Sequence, residues 1–261
     1  MPYTIHTDEE RRRMLDAIGV SSIKELFRTI PAALADPPLD LPPGLSEPEL
    51  RRHVESLAAT NRPAHSRSFL GAGCYRHHVP AIVRSLAGRA EFATAYTPYQ
   101  AEISQGTLQH IFEFQSLICG LTGLDVANAS LYDGPSALAE AALMAVRLTK
   151  RETILFSSGI HPEAIQVLRT YAAGPELPLV EIPLDSHSGR TVASALPSQP
   201  ASGEAAAAPA AVLVQQPNFF GVLEDLHALA EAARSLGALL VVMQNPLTLG
   251  LLAPPGELGA D

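Results

Sequence analysis

Short, mostly apolar runs alternate with segments of helical periodicity from residue 134 onward, and this alternation constrains the fold more than any other feature of the sequence. Continuous apolar runs of this length are typical of strands that are buried on both faces of a sheet. A helix between successive strands allows them to pair in parallel. The predicted strands are 153–156, 179–182, 211–214 and 238–243, and the predicted helices are 136–148, 162–172 and 223–236. The sequence therefore predicts an α/β fold with a predominantly parallel sheet that is covered by helices.

The helix predicted at 223–236 separates its side chains onto two sides. The side predicted to face the sheet holds Leu223, Leu226, Leu229, Ala230 and Ala233. The side predicted to face solvent holds Glu224, His227, Glu231 and Arg234. This division is typical of a helix that covers one face of a sheet.

The clearest helical pattern covers residues 103–122. A narrow polar line along one side consists of Gln105, Gln109, Glu113 and Ser116. Apolar side chains occupy most of the remaining circumference, namely Leu108, Ile111, Phe112, Leu117, Ile118 and Leu121. Because this apolar arc is too wide for a surface helix, we predict that the helix is largely buried and that its polar line faces solvent or a partner.

The N-terminal part of the chain reads as helices joined by a linker. Thr7 and Glu10 have the spacing of a capping box at the start of a helix, and Ser46 and Glu49 repeat that spacing. The intervening stretch 36–43 is rich in proline, which is typical of a stiff tether. These signals predict an N-terminal helical segment that precedes the sheet.

We predict two regions on this basis, an N-terminal helical segment and linker at 1–60 and a large domain at 61–261. The stretch 186–209 is rich in Ala, Ser and Pro and is predicted to be a surface loop. The strand predicted at 238–243 has the composition of an interior strand, so the large domain is expected to be incomplete at its C-terminal end.

Charge and hydropathy exclude several classes of function. The 261 residues carry a formal net charge of −9 at pH 7, whereas a protein that binds nucleic-acid phosphates without sequence preference needs the opposite sign. No apolar run approaches the ~20 residues that span a bilayer, and the first residues are polar and acidic rather than signal-like. We therefore predict a cytoplasmic protein that binds neither nucleic acid nor membrane.

Common motifs of metal and nucleophilic chemistry are missing from the sequence. It contains no dinucleotide-binding glycine fingerprint, no Walker A loop, no nucleophile elbow and no HExxH zinc motif. The neighbouring His77 and His78 would point in different directions in a strand or a helix, so they chelate one ion poorly. Cys74 and Cys119 lack metal-site spacing and are predicted to be reduced thiols. We therefore predict no metal site.

Three longer segments carry a family resemblance. They are Ser68–Tyr75 (SFLGAGCY), Tyr96–Gly106 (YTPYQAEISQG) and Leu121–Gly134 (LTGLDVANASLYDG). The strings MLDAIGV and IKELFRTIP near the N-terminus and QQPNFFG at 215–221 fit the same pattern. In this order and spacing, the segments resemble the P-protein of the glycine cleavage system, and in particular the subunit that lacks the lysine that holds pyridoxal phosphate. The resemblance covers nearly the whole chain.

The resemblance implies a fold-type-I pyridoxal-phosphate transferase-like domain within an α2β2 assembly. The assembly would decarboxylate glycine and transfer the aminomethyl group to the lipoyl arm of H-protein. Pyridoxal phosphate would reside in the partner, cofactor-bearing subunit, and this chain would bind none. The chain would therefore be an enzyme subunit that is inactive alone and has no catalytic or cofactor-binding residue of its own.

The residues at the family's cofactor positions agree with that expectation. The sequence holds only two lysines, Lys24 in the N-terminal helical region and Lys150 at the end of a helix. The family pattern usually places an aspartate where this chain has Asn245, and an amide cannot balance a protonated pyridine nitrogen as a carboxylate does. At the position of the phosphate cup, Asp133 would repel a phosphate, and it reads better as a helix N-cap.

The segment before the helix at 103–122 is the predicted functional surface of this chain. The resemblance suggests that it lines the mouth through which the lipoyl arm reaches the partner's active site. The candidate residues are Tyr96, Thr97, Tyr99, Gln100, Glu102 and Gln105. The alternative is an ordinary hydrogen-bonded turn that packs the two domains together.

Two other functions stay open at this point. One is a non-catalytic scaffold or regulatory paralogue of a fold-type-I enzyme, without a decarboxylase partner. The other is a self-sufficient pyridoxal-phosphate enzyme whose lysine lies beyond residue 261. A lysine-bearing partner chain would distinguish the subunit from both of them.

Overall fold

The computed structural model describes residues 5–32, 34–35, 37, 40–61, 71–73, 75–92, 97–196 and 208–261. The chain divides into two compact units, residues 1–69 and 70–261. The predicted domain boundary after residue 60 stays a prediction, because residues 62–70 lie outside the described part.

The described residues of the first unit form three helices. They are α1 (Asp8–Ile18), α2 (Ile23–Leu26) and α3 (Glu47–Thr60). The Thr7 hydroxyl accepts a hydrogen bond from the Glu10 backbone N–H, and the Glu10 carboxylate accepts one from the Thr7 N–H, so the first predicted capping box is present. At the start of α3, the Glu49 carboxylate accepts from the backbone N–H and the hydroxyl of Ser46. Every described side chain of this unit is at least partly exposed, so the buried core lies in the second unit.

The second unit is built around a four-stranded sheet. Its strands are β1 (Ile154–Ser157), β2 (Leu179–Ile182), β3 (Ala211–Gln216) and β4 (Leu239–Gln244). They lie in the order β2-β1-β3-β4 and every neighbouring pair is parallel, which confirms the predicted parallel sheet. On the outer side of β4, the Leu240 N–H donates to the Asp261 carboxylate and the Leu240 carbonyl accepts from the Asp261 N–H.

Helices cover both faces of the sheet, as the apolar strands predict. Helices α6 (Gly134–Thr149) and α7 (Pro162–Ala173) pack on one face, over Ile154, Phe156, Ala211 and Leu213. Helix α8 (Leu226–Ser235) packs on the other face, over Leu155, Val212, Val214 and Leu240. Within β1 and within β3, successive residues thus pack against opposite helix layers, because successive side chains of a strand point to opposite faces.

Helix α8 is shorter than predicted. It begins after Asp225, whose carboxylate accepts a hydrogen bond from the Ala228 N–H, so the predicted start at residue 223 is wrong. The residues that are buried as predicted are Leu226, Leu229, Ala230 and Ala233. Leu223 and Glu224 precede the cap, and helical periodicity does not apply to them. Leu223 is 41% exposed and Glu224 only 6% exposed, the reverse of the prediction.

Helix α5 (Gln105–Thr122) follows the short helix α4 (Ala81–Ala87), and its predicted burial is wrong for this chain. None of its residues is buried, and Phe112 is 71% exposed. Few contacts join α5 to the surrounding described residues. The Gln115 side chain donates to the Ala127 carbonyl, and the Thr122 carbonyl accepts from the Gly256 N–H. Periodicity reveals an apolar arc but not whether the same chain covers it.

Glycine is required both at the end of α5 and in the segment that packs against that end. Gly123 closes the helix with a φ of 71°, a left-handed conformation that side chains other than glycine rarely adopt. A Cβ atom at Gly256 would collide with the carbonyl group of Gly123. The two glycines therefore allow the segment after β4 to pass directly against the end of α5.

Arg151 fixes the amino ends of two strands. Its guanidinium donates to the carbonyl oxygens of Pro209 (3.2 Å), Leu236 (2.9 Å) and Gly237 (2.8 Å). These carbonyls lie just before β3 and β4, so the Nη1 group of one arginine contacts both strand entries.

The loop predicted at 186–209 is described up to residue 196 and again from residue 208. Its beginning belongs to a tight turn in which Leu184 and Thr191 form an antiparallel bridge. The Asp185 carboxylate accepts hydrogen bonds from the backbone N–H and the hydroxyl of Ser188, and these bonds lower the pKa of Asp185. The turn at 184–191 brings Thr191 next to the sheet.

Candidate functional site

The carboxyl ends of the parallel strands meet at one edge of the sheet. We define the carboxyl edge as residues 157–161, 216–224 and 244–245, which end or follow β1, β3 and β4, together with the N-terminus of α6 at Asp133. That N-terminus lies beside the end of β4, since a Cβ atom on Gly134 would be 3.3 Å from the Met243 Cε atom. Ligands of open α/β sheets bind outside the carboxyl ends of the strands, so this edge is the candidate functional site.

His161 lies at the carboxyl edge as the N-cap of α7. Its Nδ1 atom accepts a hydrogen bond from the Glu163 N–H (3.2 Å), and its Nε2 atom lies 3.3 Å from the carbonyl oxygen of Ala72. These two contacts select the tautomer that carries its proton on Nε2. The ring meets Phe219 edge-on, with the ring centroids 5.0 Å apart. The backbone N–H of His161 donates to the Gln215 Oε1 atom at 2.8 Å.

The aromatic loop, residues 217–222, connects β3 to the residues before α8. Asn218 holds its shape, since the Asn218 Oδ1 atom accepts from the backbone N–H groups of Phe220 and Val222, both at 3.1 Å. The Phe219 N–H donates to the Gly159 carbonyl at 2.7 Å, which joins this loop to the loop after β1. Phe220 is 65% exposed at the tip.

A buried carboxylate lies at the base of the aromatic loop. The Glu224 Oε2 atom accepts from the Thr191 N–H (2.7 Å), and the Oε1 atom accepts from the Thr191 hydroxyl and the Asn218 Nδ2 atom (both 2.9 Å). The Glu224 N–H donates to Gln216 Oε1 at 2.8 Å. No lysine or arginine of the described ranges lies within ion-pair distance of Glu224. Sequence reasoning missed this cluster, because periodicity assigned Glu224 to an exposed helix face.

The N-terminus of α6 is capped from within the chain. The Asp133 Oδ1 atom accepts from the Ser136 N–H at 2.7 Å, as predicted for an N-cap. That backbone hydrogen bond, followed by the contribution of the Ser136 side chain, lowers the pKa of Asp133. The positive end of the helix dipole is therefore matched by a carboxylate of this chain.

Amide side chains occupy the end of β4. The Asn245 Oδ1 atom accepts from the Leu247 N–H at 3.1 Å and so caps a short 3-10 turn at Pro246–Gly250. The Gln244 Nε2 atom donates to the Thr248 hydroxyl at 3.1 Å, while the Gln244 Oε1 atom is buried without a partner among the described residues. The strand therefore ends in neutral groups, one of which is used for local capping.

Lys150 lies away from the described part of the carboxyl edge. Lys150 is the C-cap of α6, in the left-handed conformation with a φ of 58°. The 16 residues of that helix place Lys150 about 24 Å from Asp133, at 1.5 Å per residue. Lys24 belongs to helix α2 of the first unit.

Of the predicted mouth residues, Thr97, Tyr99, Gln100 and Glu102 precede α5, and Gln105 is its first residue. Tyr96 lies outside the described residues. The Thr97 carbonyl accepts from the Tyr99 N–H (2.9 Å), and the Gln100 carbonyl accepts from the Ser104 N–H (3.0 Å). The exposed side chains that form no hydrogen bond within the described ranges are Tyr99, Gln100, Glu102 and Gln105. Backbone bonds alone therefore shape this described turn.

A shallow groove runs beside part of that segment. It has a volume of about 440 Å³ and is lined by Ala101, Glu102, Gln105, Leu108, Gln109 and Phe112. Two of the predicted mouth residues, Glu102 and Gln105, thus share one surface with the exposed side of α5.

The described residues contain no group of three or more His, Cys, Asp or Glu side chains that could hold a metal ion. His77 and His78 are both exposed. Cys119 is a free thiol of intermediate exposure, and Cys74 lies outside the described part of the chain. None of the described helices is both long and apolar enough to cross a membrane.

A comparison with protein-family models matches residues 1–261 to the glycine cleavage system P-protein. The chain belongs to the glycine cleavage system P-protein family. The resemblance carried by the three segments of the sequence is thereby confirmed. This P-protein chain is 51% identical over 263 residues to the probable glycine dehydrogenase (decarboxylating) subunit 1 of Carboxydothermus hydrogenoformans. It is 49% identical over 266 residues to the protein of the same name in Thermomicrobium roseum.

Solved structures give the same assignment. A glycine decarboxylase (P-protein) of the glycine cleavage system, in inhibitor-bound form, matches 100% of this chain at 49% identity with a TM-score of 0.86. The sphingosine-1-phosphate lyase of Burkholderia pseudomallei matches 81% of this chain and 50% of its own at 16% identity with a TM-score of 0.55. The Oryza sativa TDC with PLP and tryptamine matches 93% of this chain and 58% of its own at 14% identity with a TM-score of 0.53. At these lower identities the likeness shows the fold alone, and it confirms the predicted fold-type-I α/β class.

The P-protein chain spans only part of these relatives. All of it is covered in the matches to C. hydrogenoformans and T. roseum, but it accounts for 58% and 57% of their lengths. It likewise covers 57% of the inhibitor-bound P-protein.

The described residues of this P-protein chain do not fit pyridoxal phosphate. The Asp133 carboxylate, with its lowered pKa, holds the helix N-terminus at which a phosphate would bind. Asn245 supplies an amide instead of a carboxylate at the end of β4, and its oxygen is engaged by Leu247. Lys150 lies at the far end of α6 and cannot reach either group.

Proposed function

We propose that this chain is part of subunit 1 of the glycine-decarboxylating P-protein and that it is the partner without pyridoxal phosphate. The enzyme decarboxylates glycine and transfers the aminomethyl group to the lipoyl arm of H-protein. The proposal rests on identity of 51% to a protein named as subunit 1, over all of this chain. Because the described carboxyl edge does not fit pyridoxal phosphate, it supports the proposal that the other subunit binds the cofactor.

The proposed assembly is a cytoplasmic α2β2 tetramer whose other subunit supplies pyridoxal phosphate, the electron sink for glycine decarboxylation. This chain would stabilise the assembly and form part of the path by which the lipoyl arm arrives. Its exposed apolar residues on α5, such as Phe112 and Leu117, are consistent with a chain that is covered by further protein.

Reconstitution tests the proposed function directly. The complete protein that contains this chain, the lysine-bearing subunit and lipoylated H-protein are combined, and exchange of the glycine carboxylate with labelled bicarbonate is measured. We expect exchange from the mixture and only background exchange from each subunit alone. Full exchange by the lysine-bearing subunit alone would favour the scaffold or regulatory paralogue. Exchange by this protein alone would favour the self-sufficient enzyme.

We also propose that the segment from Tyr96 to Gln105 lines the mouth of the partner's active site. The supporting observation is that Tyr99 is 88% exposed and that its hydroxyl forms no hydrogen bond among the described residues. Side chains that hold a turn together by packing would be buried instead.

Tyr99→Phe is therefore expected to lower glycine–bicarbonate exchange of the reconstituted enzyme several-fold without lowering its melting temperature. The substitution removes one hydroxyl and keeps the ring, and one hydrogen bond to a neutral group is worth ~0.5–1.5 kcal/mol. Glu102→Gln tests the neighbouring charge in the same assay, with exchange and a thermal melt measured on the same sample. Equal losses of exchange and of melting temperature would favour the packing turn, and unchanged exchange in both variants would remove the segment from the functional surface.

A further inference from the structure

Glu224 is the most buried ionisable side chain of the described residues that the proposed function does not use. It is 6% exposed, and its carboxylate accepts hydrogen bonds from the Thr191 N–H, the Thr191 hydroxyl and the Asn218 Nδ2 atom. A buried carboxylate without a cation is costly unless hydrogen bonds satisfy it, so the cluster must hold the chain around it in one arrangement.

The direction of each hydrogen bond in the cluster is determined. The Asn218 amide cannot be reversed, because its Oδ1 atom already accepts from two backbone N–H groups. Its Nδ2 atom must therefore donate, and it reaches both Glu224 and the Gly189 carbonyl at 2.9 Å. The Thr191 hydroxyl donates to Glu224 and hence accepts from Ser157, whose own oxygen accepts from the Gly159 N–H.

The cluster joins two segments of the carboxyl edge to the turn at 184–191. Thr191 belongs to the turn at 184–191, Asn218 to the aromatic loop, and Ser157 to the end of β1. Glu224 accepts hydrogen bonds from Thr191 and Asn218, and Ser157 joins the cluster through the Thr191 hydroxyl, so the position of the Glu224 carboxylate affects how the aromatic loop lies against the loop after β1. Through that loop, Glu224 acts on the contact between Phe219 and His161.

We propose that Glu224 is the positioning residue of the carboxyl edge, which holds the aromatic loop, residues 217–222, so that Phe219 meets the His161 ring. The carboxylate does not touch His161 itself and works through Asn218 and Thr191. This assignment is independent of glycine cleavage, because it concerns the geometry of this chain alone.

Glu224→Gln is the sharpest test, because it keeps the size of the side chain and changes only its hydrogen-bonding character. Whichever oxygen becomes NH₂, that group faces a donor that cannot reverse, either the Thr191 N–H or the Asn218 Nδ2 atom. We expect the His161 ring resonances in NMR spectra to shift, because the ring current of Phe219 depends on its position. We also expect chymotrypsin to cleave after Phe219 or Phe220 roughly tenfold faster, since the loop opens more often.

Three further variants protect the test against simple misfolding. Thr191→Val removes one hydroxyl donor and is expected to move the His161 resonances in the same direction by a smaller amount, while Thr191→Ser restores the hydroxyl and the wild-type spectrum. Glu181→Gln is the matched control, because Glu181 is an exposed glutamate on β2. Unchanged His161 resonances and an unchanged cleavage rate in both Glu224→Gln and Thr191→Val would overturn the proposal.

Discussion

Phe156→Ala is expected to lower the free energy of unfolding by about 3–5 kcal/mol, the usual cost of deleting a buried phenylalanine ring. Phe156 is 2% exposed and lies in the layer between β1 and helices α6 and α7. The loss is comparable to the ~5–15 kcal/mol by which domains are stable, so the variant is expected to be largely unfolded at moderate urea concentrations. Urea titration followed by far-ultraviolet circular dichroism measures it, since the sequence contains no tryptophan to serve as a fluorescent probe.

Phe112→Ala is the matched control for this prediction, because it removes the same ring from a position that is 71% exposed. Its cost in the isolated chain is expected to be within about 0.5 kcal/mol of zero, as for other surface positions. A loss equal to that of Phe156→Ala would contradict the exposed position of α5 and restore the burial that its apolar periodicity predicts.

The protein that contains this chain is expected to form no borohydride-reducible adduct with pyridoxal phosphate through Lys24 or Lys150. Lys150 is separated from Asp133 by the length of α6, about 24 Å at 1.5 Å per residue, and no other lysine exists in this sequence except Lys24. Reduction with borohydride and mass spectrometry of the two lysine peptides measures the adduct. A stoichiometric adduct at either lysine that glycine displaces would contradict the prediction.

Asn245→Asp tests whether the missing carboxylate at the end of β4 is by itself enough to prevent the adduct. The substitution restores a carboxylate at the end of β4, but it leaves the Asp133 carboxylate at the N-terminus of α6 and adds no lysine. We expect the variant to form no adduct either. The lysine-bearing partner subunit, treated in the same way, is the positive control.

The parts of this fold that local chemistry determines could be predicted from the sequence. The capping boxes at Thr7 and Ser46 involve residues three positions apart, and the N-cap at Asp133 is equally local. The positions of the strands and the buried residues of α8 from Leu226 onward also agreed with the prediction, because continuous apolar runs and a period of 3.6 residues are both local features of the sequence.

Two predictions about burial failed, and both depended on contacts distant in sequence. Helix α5 has a wide apolar arc, but this chain leaves it uncovered, and no periodicity identifies the chain that provides the cover. Glu224 was assigned to an exposed face because the pattern was extended past Asp225, the residue that caps the helix. Its actual partners include Thr191, 33 positions away in the sequence.

The sequence by itself determined the family and the parallel α/β class, because both depend on which residues are present and in what order. Only the tertiary structure decided which polar residues meet at the carboxyl edge. Ser157, Thr191, Asn218 and Glu224 come from different segments, and each is an ordinary polar residue when viewed alone. Their arrangement follows from the sheet topology, which brings these segments together, and from burial, because buried polar groups need hydrogen-bond partners.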